Sequence, residues 1–381
     1  GELADDALPA SVLDRLRLDA FAPSVMTLHR PPPSASLASL AERSHPAWQR
    51  IKFDEMLAQQ LAMKKARAAR DAKSAPRLLT KNKLTDALKK TLPFALTAAQ
   101  QRAWREIAAD LAAPHPMQRL LQGDVGSGKT IVSALAAAQA IDNGYQAVIM
   151  APTEILAEQH YRKLSALLVP LGVTVTWLTG SLKAKEKRAA IEAIGSGETQ
   201  LAIGTHALFQ DGVDFARLGL TVIDEQHRFG VGQRLALREK GERGIDVKHE
   251  PHQLMMSATP IPRTLSMSYF ADLDVSVIDE LPPGRTPIQT KLLAESRRDE
   301  VLARIRAACQ EGAQAYWVCP LIEESETLQL KTAVETFDAL TAALPDVKVG
   351  LVHGRMKAAE KNAVMAKFLA NEVQLLVATT V

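Results

Sequence analysis

Read by its apolar and polar positions, the chain divides into three stretches. Up to about residue 78 the pattern is helical and largely polar. A short helix is expected over residues 8–18, and the run Pro31-Pro32-Pro33 breaks the chain, since proline fixes φ and donates no hydrogen bond. A longer helix is expected over residues 47–72, apolar at Ile51, Phe53, Met56, Leu57 and Leu61 before it turns basic. From Leu79 the character changes. Short runs rich in Val, Ile and Leu predict strands at 117–122, 147–151, 173–178, 200–204, 220–224 and 253–257. Helices are expected between several of them, notably at 131–141, 155–169 and 183–194. Strands of this composition alternating with helices imply a parallel sheet covered on both faces. Residues 281–287, with three prolines and a glycine, mark a boundary. Beyond it a second α/β unit is expected: helices at 299–309, 332–344 and 358–369, and strands at 315–319, 348–353 and 373–379. The expected organisation is a helical connector over 1–78, one α/β domain over 79–283 and a second over 284–381. The last breaks off in an apolar strand with no cap or polar tail, so it is expected to be incomplete.

Composition changes this picture little. At 381 residues the chain is too long for one ordinary core, and 47% hydrophobic with 23% charged residues excludes a disordered chain. The net charge of +3 decides nothing, but its distribution is uneven. Lys64, Lys65, Arg67, Arg70, Lys73, Arg77, Lys81 and Lys83 stand against the single acid Asp71. That run suits a phosphate backbone and equally a solvated helix face. Two cysteines, Cys309 and Cys319, build no disulfide framework and show no metal-ligand spacing; buried thiols in a reducing cytoplasm are expected. No segment approaches the length of a membrane span, so no membrane partner is expected.

The chemistry concentrates at strand ends. Gly123, Asp124, Val125, Gly126, Ser127, Gly128, Lys129 and Thr130 satisfy G-x-x-x-x-G-K-[ST] between an expected strand and helix. Such a loop aims successive N–H groups at phosphate oxygens, with the positive end of the following helix behind them. Lys129 can reach the outer phosphates, and Thr130 offers a hydroxyl to Mg²⁺. Asp224 and Glu225 end a hydrophobic strand, as a Mg-nucleotide site requires: Asp224 to hold the metal or its waters, Glu225 to orient and deprotonate an attacking water. Ser257 and Thr259, before Pro260 and Pro262, fit either exposed donors on a rigid loop or ordinary caps of a strand-to-helix turn. Pro152 and Thr153, Thr205 and His206, and His353 and Gly354 each follow an expected strand and could touch a polyanion. Phe94 and Gln100 could offer a stacking face and a bidentate amide to adenine, with plain core as the other reading of Phe94.

In this order the stretches resemble the motif set of superfamily 2 helicases: Gln100, the phosphate loop, Ala151-Pro152-Thr153, Asp224 to His227, Ser257-Ala258-Thr259 and Val352-His353-Gly354. Within that superfamily the chain is similar to the RecG family of bacterial branch-migrating, fork-reversing DNA helicases. Residues 123–130, 224–231, 257–265 and 316–324 carry the likeness, which runs from Leu92 to Val381 and is looser in the connector. The transcription-repair coupling translocases are the nearest relatives in pattern, but their acidic box usually reads Asp-Glu-Glu-His, and here Gln226 stands third. The resemblance implies two RecA-like domains, the second incomplete, with ATP and Mg²⁺ bound between them. It implies that Lys129, Asp224 and Glu225 serve hydrolysis. Gln226, His227, Ser257 and Thr259 would couple it to domain movement, and Phe94 and Gln100 would read adenine. It implies a monomeric motor acting on branched double-stranded DNA, at forks and Holliday junctions, in recombination and repair. Single-stranded DNA-binding protein is a further expected partner. The family's wedge domain would precede residue 1, and its arginine motif would lie beyond Val381. Two rival readings are a polymerase-displacing duplex translocase and a nucleotide-switched binding module without net hydrolysis.

Overall fold

The computed structural model describes residues 6–210, 212–225, 249–259, 273–280, 288–319 and 326–379. Two compact units emerge, Gly1–Arg285 and Thr286–Val381. The first opens with helices α1 (Ala10–Leu16), α2 (Phe21–His29), α3 (Leu37–Ala41) and α4 (Pro46–Asp71). Pro46 occupies the first turn of α4, where no N–H is missed, and the His45 side chain caps Ala47 N. One buried cation ties this region together. Arg50 donates from Nε to both Asp54 oxygens and from its terminal nitrogens to Asp6 and Asp19 O. With so many acceptors, burial of its guanidinium is compensated.

Helices α5 (Lys83–Thr91) and α6 (Ala98–Leu111) lead into the sheet. In chain order it comprises β1 (Gln118–Gly123), β2 (Gln146–Met150), β3 (Val175–Leu178), β4 (Leu201–Gly204), β5 (Leu218–Ile223), β6 (His252–Ser257) and β7 (Asp274–Ile278). Helix α7 (Lys129–Asp142) follows β1, α8 (Glu154–Leu168) follows β2, and α9 (Ala184–Ser196) follows β3. The spatial order is β3-β4-β2-β5-β6-β1-β7, every pairing parallel. The central strands β2, β4, β5 and β6 are buried along their whole length, as crossover helices on both faces require. On one face Leu121, Ile149, Ile203, Val222, Leu254 and Met256 pack beneath α7 and α8. Helix α7 is buried on nearly every side from Val132 to Ile141, and its alanines let it lie close to the sheet.

The amino ends of the central strands are closed by the connector. His252 Nδ1 accepts from Met117 N and its Nε2 donates to Pro76 O, at 3.0 and 2.7 Å. Ala75 N and Leu78 N donate to Pro114 O and Leu111 O, and Glu250 N to Ser74 O. Burial holds the His252 pKa down at about 4.

The second unit carries α10 (Arg298–Gln310), β8 (Ala315–Cys319), α11 (Glu326–Ala343), β9 (Val349–Val352), α12 (Ala358–Leu369) and β10 (Leu375–Thr379). Its described strands form a parallel sheet in the order β8-β10-β9. Cys309 and Cys319 are buried free thiols in its core, and burial pushes the Cys309 pKa up.

The expected α/β architecture is present, and the expected strands and helices stand within a few residues of their observed bounds, except that α11 starts about two turns earlier than expected. Four short elements lacked a readable period: α2, α3, α5 and the edge strand β7, whose Val275 and Val277 are exposed. The expected boundary at 281–287 lies outside the described residues. No helix among the described residues is long and apolar enough to cross a membrane.

Candidate nucleotide-binding and hydrolysis site

The glycine-rich loop joins the end of β1 to the first residue of α7. Gly126 and Gly128 have φ of 80° and 94°, in the left-handed region open to glycine. At Gly128 a Cβ would also lie 2.3 Å from Gln100 Nε2, so conformation and space both demand glycine. Val125 N donates to Asp124 Oδ1 and Ser127 N to Asp124 O, which folds the loop on itself. The Ser127 hydroxyl is buried with no partner among the described residues. Lys129 stands at a helix N-terminus, where a cation opposes the helix dipole. Its Nζ donates to Gly123 O at 2.6 Å and Asp124 O at 3.0 Å. Burial lowers its pKa, and the charges of Asp224, Glu225 and Asp124 oppose that shift.

Strand β5 carries the acidic pair to the same end of the sheet. Asp224 N donates to Met150 O of β2 at 2.8 Å, which extends the ladder by one residue. Asp224 is buried; its Oδ1 accepts from Glu225 N at 3.0 Å and its Oδ2 lies 2.7 Å from His160 Nε2. Glu225 has φ of 49°, a left-handed conformation that costs about 1–2 kcal/mol for a residue with a Cβ. Lys129, Thr130, His160, Asp224 and Glu225 line one cavity of about 630 Å³. Because β5, β6 and β1 are neighbours, the turn after β6 reaches it too, and Met256 and Ala258 line the cavity. In that turn Ser257 Oγ and Thr259 Oγ1 are 3.0 Å apart, Thr259 N donates to Ser257 Oγ, and Gln122 Nε2 of β1 donates to Thr259 O. Gln226, His227 and Pro260 to Leu265 lie outside the described residues.

Phe94 and Gln100 are not brought to one pocket. Gln100 is buried, 3% exposed, at the start of α6. Its Oε1 accepts from Thr97 N, closing a capping box, and its Nε2 donates to Ser127 O at 2.8 Å. Phe94 is half exposed and lines a separate cavity of about 380 Å³ with Lys89, Leu96, Gln101, Trp104 and Arg105. Successive side chains of a helix point about 100° apart, so Gln101 faces Phe94 while Gln100 faces the loop.

A second group of residues stands where β3, β4 and β2 end side by side. Pro152 and Thr153 follow β2, and the Thr153 hydroxyl caps α8 at Leu156 N. Thr205 follows β4, buried with its hydroxyl unpartnered among the described residues, and His206 beyond it is exposed. Sequence reasoning missed Thr179 and Ser181 after β3, although a Thr-Gly-Ser run at a strand end carries the same signal. Ser181 N donates to Glu154 Oε1, tying this loop to the first turn of α8. In the second unit, half-buried His353 follows β9 with Nδ1 unpartnered among the described residues, and Gly354 O accepts from Lys361 Nζ. His160 was also missed. Its one signal was an imidazole in the stripe that α8 otherwise buries with Ala157, Leu164 and Leu168.

This geometry can be set against known proteins. A family model described as DEAD/DEAH box helicase matches residues 97–268. ATP-dependent DNA helicase RecG of Pasteurella multocida is 51% identical over all of this chain, and that of Escherichia coli K12 is 54% identical over 94% of it. The solved structure of RecG bound to a three-way DNA junction is 36% identical and matches the whole chain with a TM-score of 0.77. The chain belongs to the RecG family. It spans about half the length of the relatives it matches: 56% of the Pasteurella protein, 51% of the Escherichia one and 48% of the junction-bound RecG. Saccharomyces cerevisiae Dbp5 bound to RNA and ADP BeF3, 16% identical with a TM-score of 0.55 over 81% of this chain and 76% of that one, shares the fold alone. Both units thus have the RecA-like architecture of helicase motors.

Proposed function

We propose that this chain is the greater part of an ATP-driven motor on branched double-stranded DNA, whose hydrolysis powers fork reversal and branch migration in recombination and repair. The observation that carries this reading is the single cavity in which Lys129 and Thr130 of the glycine loop face Asp224 and Glu225. The residues present fit a Mg²⁺-bound triphosphate. Ser127 keeps a buried hydroxyl unpartnered among the described residues, the loop is built on left-handed glycines, and Thr130 and Asp224 are the hard oxygen donors that Mg²⁺ takes alongside waters and phosphates. Bound Mg²⁺ would neutralise charge on the phosphate oxygens as the terminal group departs.

The chain's own groups do the rest. The loop N–H groups and α7 hold the phosphates, and Lys129 exchanges the carbonyls of Gly123 and Asp124 for a phosphate oxygen. Glu225 accepts a proton from the attacking water. Phe94 stacks on the base at the mouth of its cavity, and Gln100, bonded to Ser127 O, backs the phosphate loop. The turn at Ser257 and Thr259, anchored on Gln122, carries the change at the phosphates toward Gln226 and His227. Pro152, Thr153, Thr205, His206, His353 and Gly354 meet the DNA backbone. The protein acts as a cytoplasmic monomer, with single-stranded DNA-binding protein as a partner.

Two substitutions in the full-length protein test the reading. Lys129→Ala should lower DNA-stimulated ATP hydrolysis by more than about 10²-fold. Glu225→Gln should keep Mg²⁺-dependent ATP binding and stop turnover. Fork reversal surviving Lys129→Ala would remove the mechanism.

A further inference from the structure

The nucleotide cavity has a wall outside the helicase motifs. Leu156, Gln159, His160 and Lys163 of α8 all line it, and of these only His160 is buried, at 7% exposure. It fills an inward position of the helix where an aliphatic side chain is the ordinary choice. A buried imidazole is costly unless hydrogen-bonded, and here the partner is Asp224 Oδ2 at 2.7 Å. With a carboxylate oxygen accepting, the hydrogen lies on Nε2. Asp224 Oδ1 takes the Glu225 N–H at 3.0 Å. The carboxylate is therefore gripped at both oxygens, once by its own backbone and once by a side chain from another element. With one donor only, its broad χ2 well would let it swing.

We infer that His160 is a positioning residue for Asp224, holding the carboxylate in the plane from which it meets the nucleotide-bound Mg²⁺. This rests on the assignment of Asp224 to that metal. Hydrogen bonds that orient a metal ligand are typically worth about 10–100-fold in metal affinity or activity. The same helix begins at its Thr153 cap, about 10 Å and seven residues from His160. The grip on Asp224 therefore comes from a rigid element whose other end stands in the row of strand ends proposed to meet DNA.

The test compares His160→Leu, which keeps bulk without a donor, with His160→Gln, whose amide nitrogen can reach the place of Nε2, in the full-length protein. The readouts are the Mg²⁺ concentration that half-saturates binding of a fluorescent ATP analogue, kcat for ATP hydrolysis, and Tm without nucleotide. His160→Leu should raise the Mg²⁺ requirement and lower kcat by about 10-fold or more, and His160→Gln should recover most of both. If His160→Leu does not fold, His160→Asn, too short to reach Asp224, takes its place. A folded His160→Leu or His160→Asn protein with the wild-type Mg²⁺ requirement would overturn the inference, as would equal losses in the donor-keeping and donor-lacking variants. Asp224→Asn separates the two levels. If it too leaves the Mg²⁺ requirement unchanged, the assignment of Asp224 has failed; if it abolishes the response while His160→Leu does not, only the role of His160 has failed.

Discussion

Gln100→Ala separates two roles that the same residue could play. Its amide is spent on two backbone groups, Thr97 N and Ser127 O, and the second belongs to the phosphate loop. Truncation removes the Gln100 half of the capping box at the start of α6, the bond from Thr97 N, worth about 1 kcal/mol, while the Thr97 hydroxyl still caps the backbone N–H of residue 100. It also leaves the Ser127 carbonyl, in a buried residue, without that donor, at about 1–3 kcal/mol. Together these predict a loss of about 2–4 kcal/mol, hence a fall in Tm of roughly 5 °C for a unit of this size.

The loop should suffer beyond its share of stability. Gln100 Nε2 occupies the space a side chain at Gly128 would need, so the amide backs the left-handed turn just before Lys129. With that backing gone, affinity for ATP and GTP should fall together, because what is damaged grips phosphates rather than a base. Calorimetric or urea-induced unfolding measures the first effect, and parallel titrations with the two nucleotides measure the second. An unchanged Tm together with a selective loss of ATP over GTP would refute the buttress and return Gln100 to reading adenine.

Two further predictions follow from close contacts and burial. In Gly204→Ala the new Cβ would lie 1.8 Å from Leu178 O, backbone against side chain at the β3–β4 edge, so a loss of about 3 kcal/mol or more is expected; an unchanged denaturation midpoint would contradict it. His252 is held near pKa 4 in the fold against 6.5 as a free side chain, so the unfolded chain takes up the proton first as pH falls. Its contribution, up to about 3 kcal/mol, is complete above pH 6.5, drains away between 6.5 and 4, and is absent below. His252→Gln, which can still accept from Met117 N and donate to Pro76 O, should flatten that part of the Tm–pH curve, and parallel curves for the two proteins would rule it out.

What could be read in the sequence followed from strong, local signals. The strands β1, β2, β4, β5 and β6 are short apolar runs because helices cover both faces, and the motifs from the glycine loop onward stand at carboxyl ends of strands, where parallel sheets place their ligands. Elements without such a run were missed: α5 has few apolar residues in its nine, and β7 pairs with β1 alone among the described strands, with Val275 and Val277 exposed. Side-chain direction was the harder failure. Gln100 and Gln101 are neighbours in sequence, yet one buttresses the phosphate loop and the other faces Phe94. A motif letter names the residue type but not the side of the helix it serves.

His160 escaped for a topological reason. Gly123, Asp224 and Ser257 are far apart in the chain and meet because β1, β6 and β5 are consecutive in the sheet. Asp224 also borders β2, through its hydrogen bond to Met150 O. The helix that leaves the end of β2 must cross back over the sheet beside that junction, so an inward residue two turns along α8 comes within reach of the carboxylate. No spacing rule links residue 160 to residue 224, since the connection runs through strand order. The same order makes α8 both the continuation of the Pro152–Thr153 strand end and a wall of the nucleotide cavity. A displacement of that strand end can therefore reach Asp224 along one helix and one hydrogen bond.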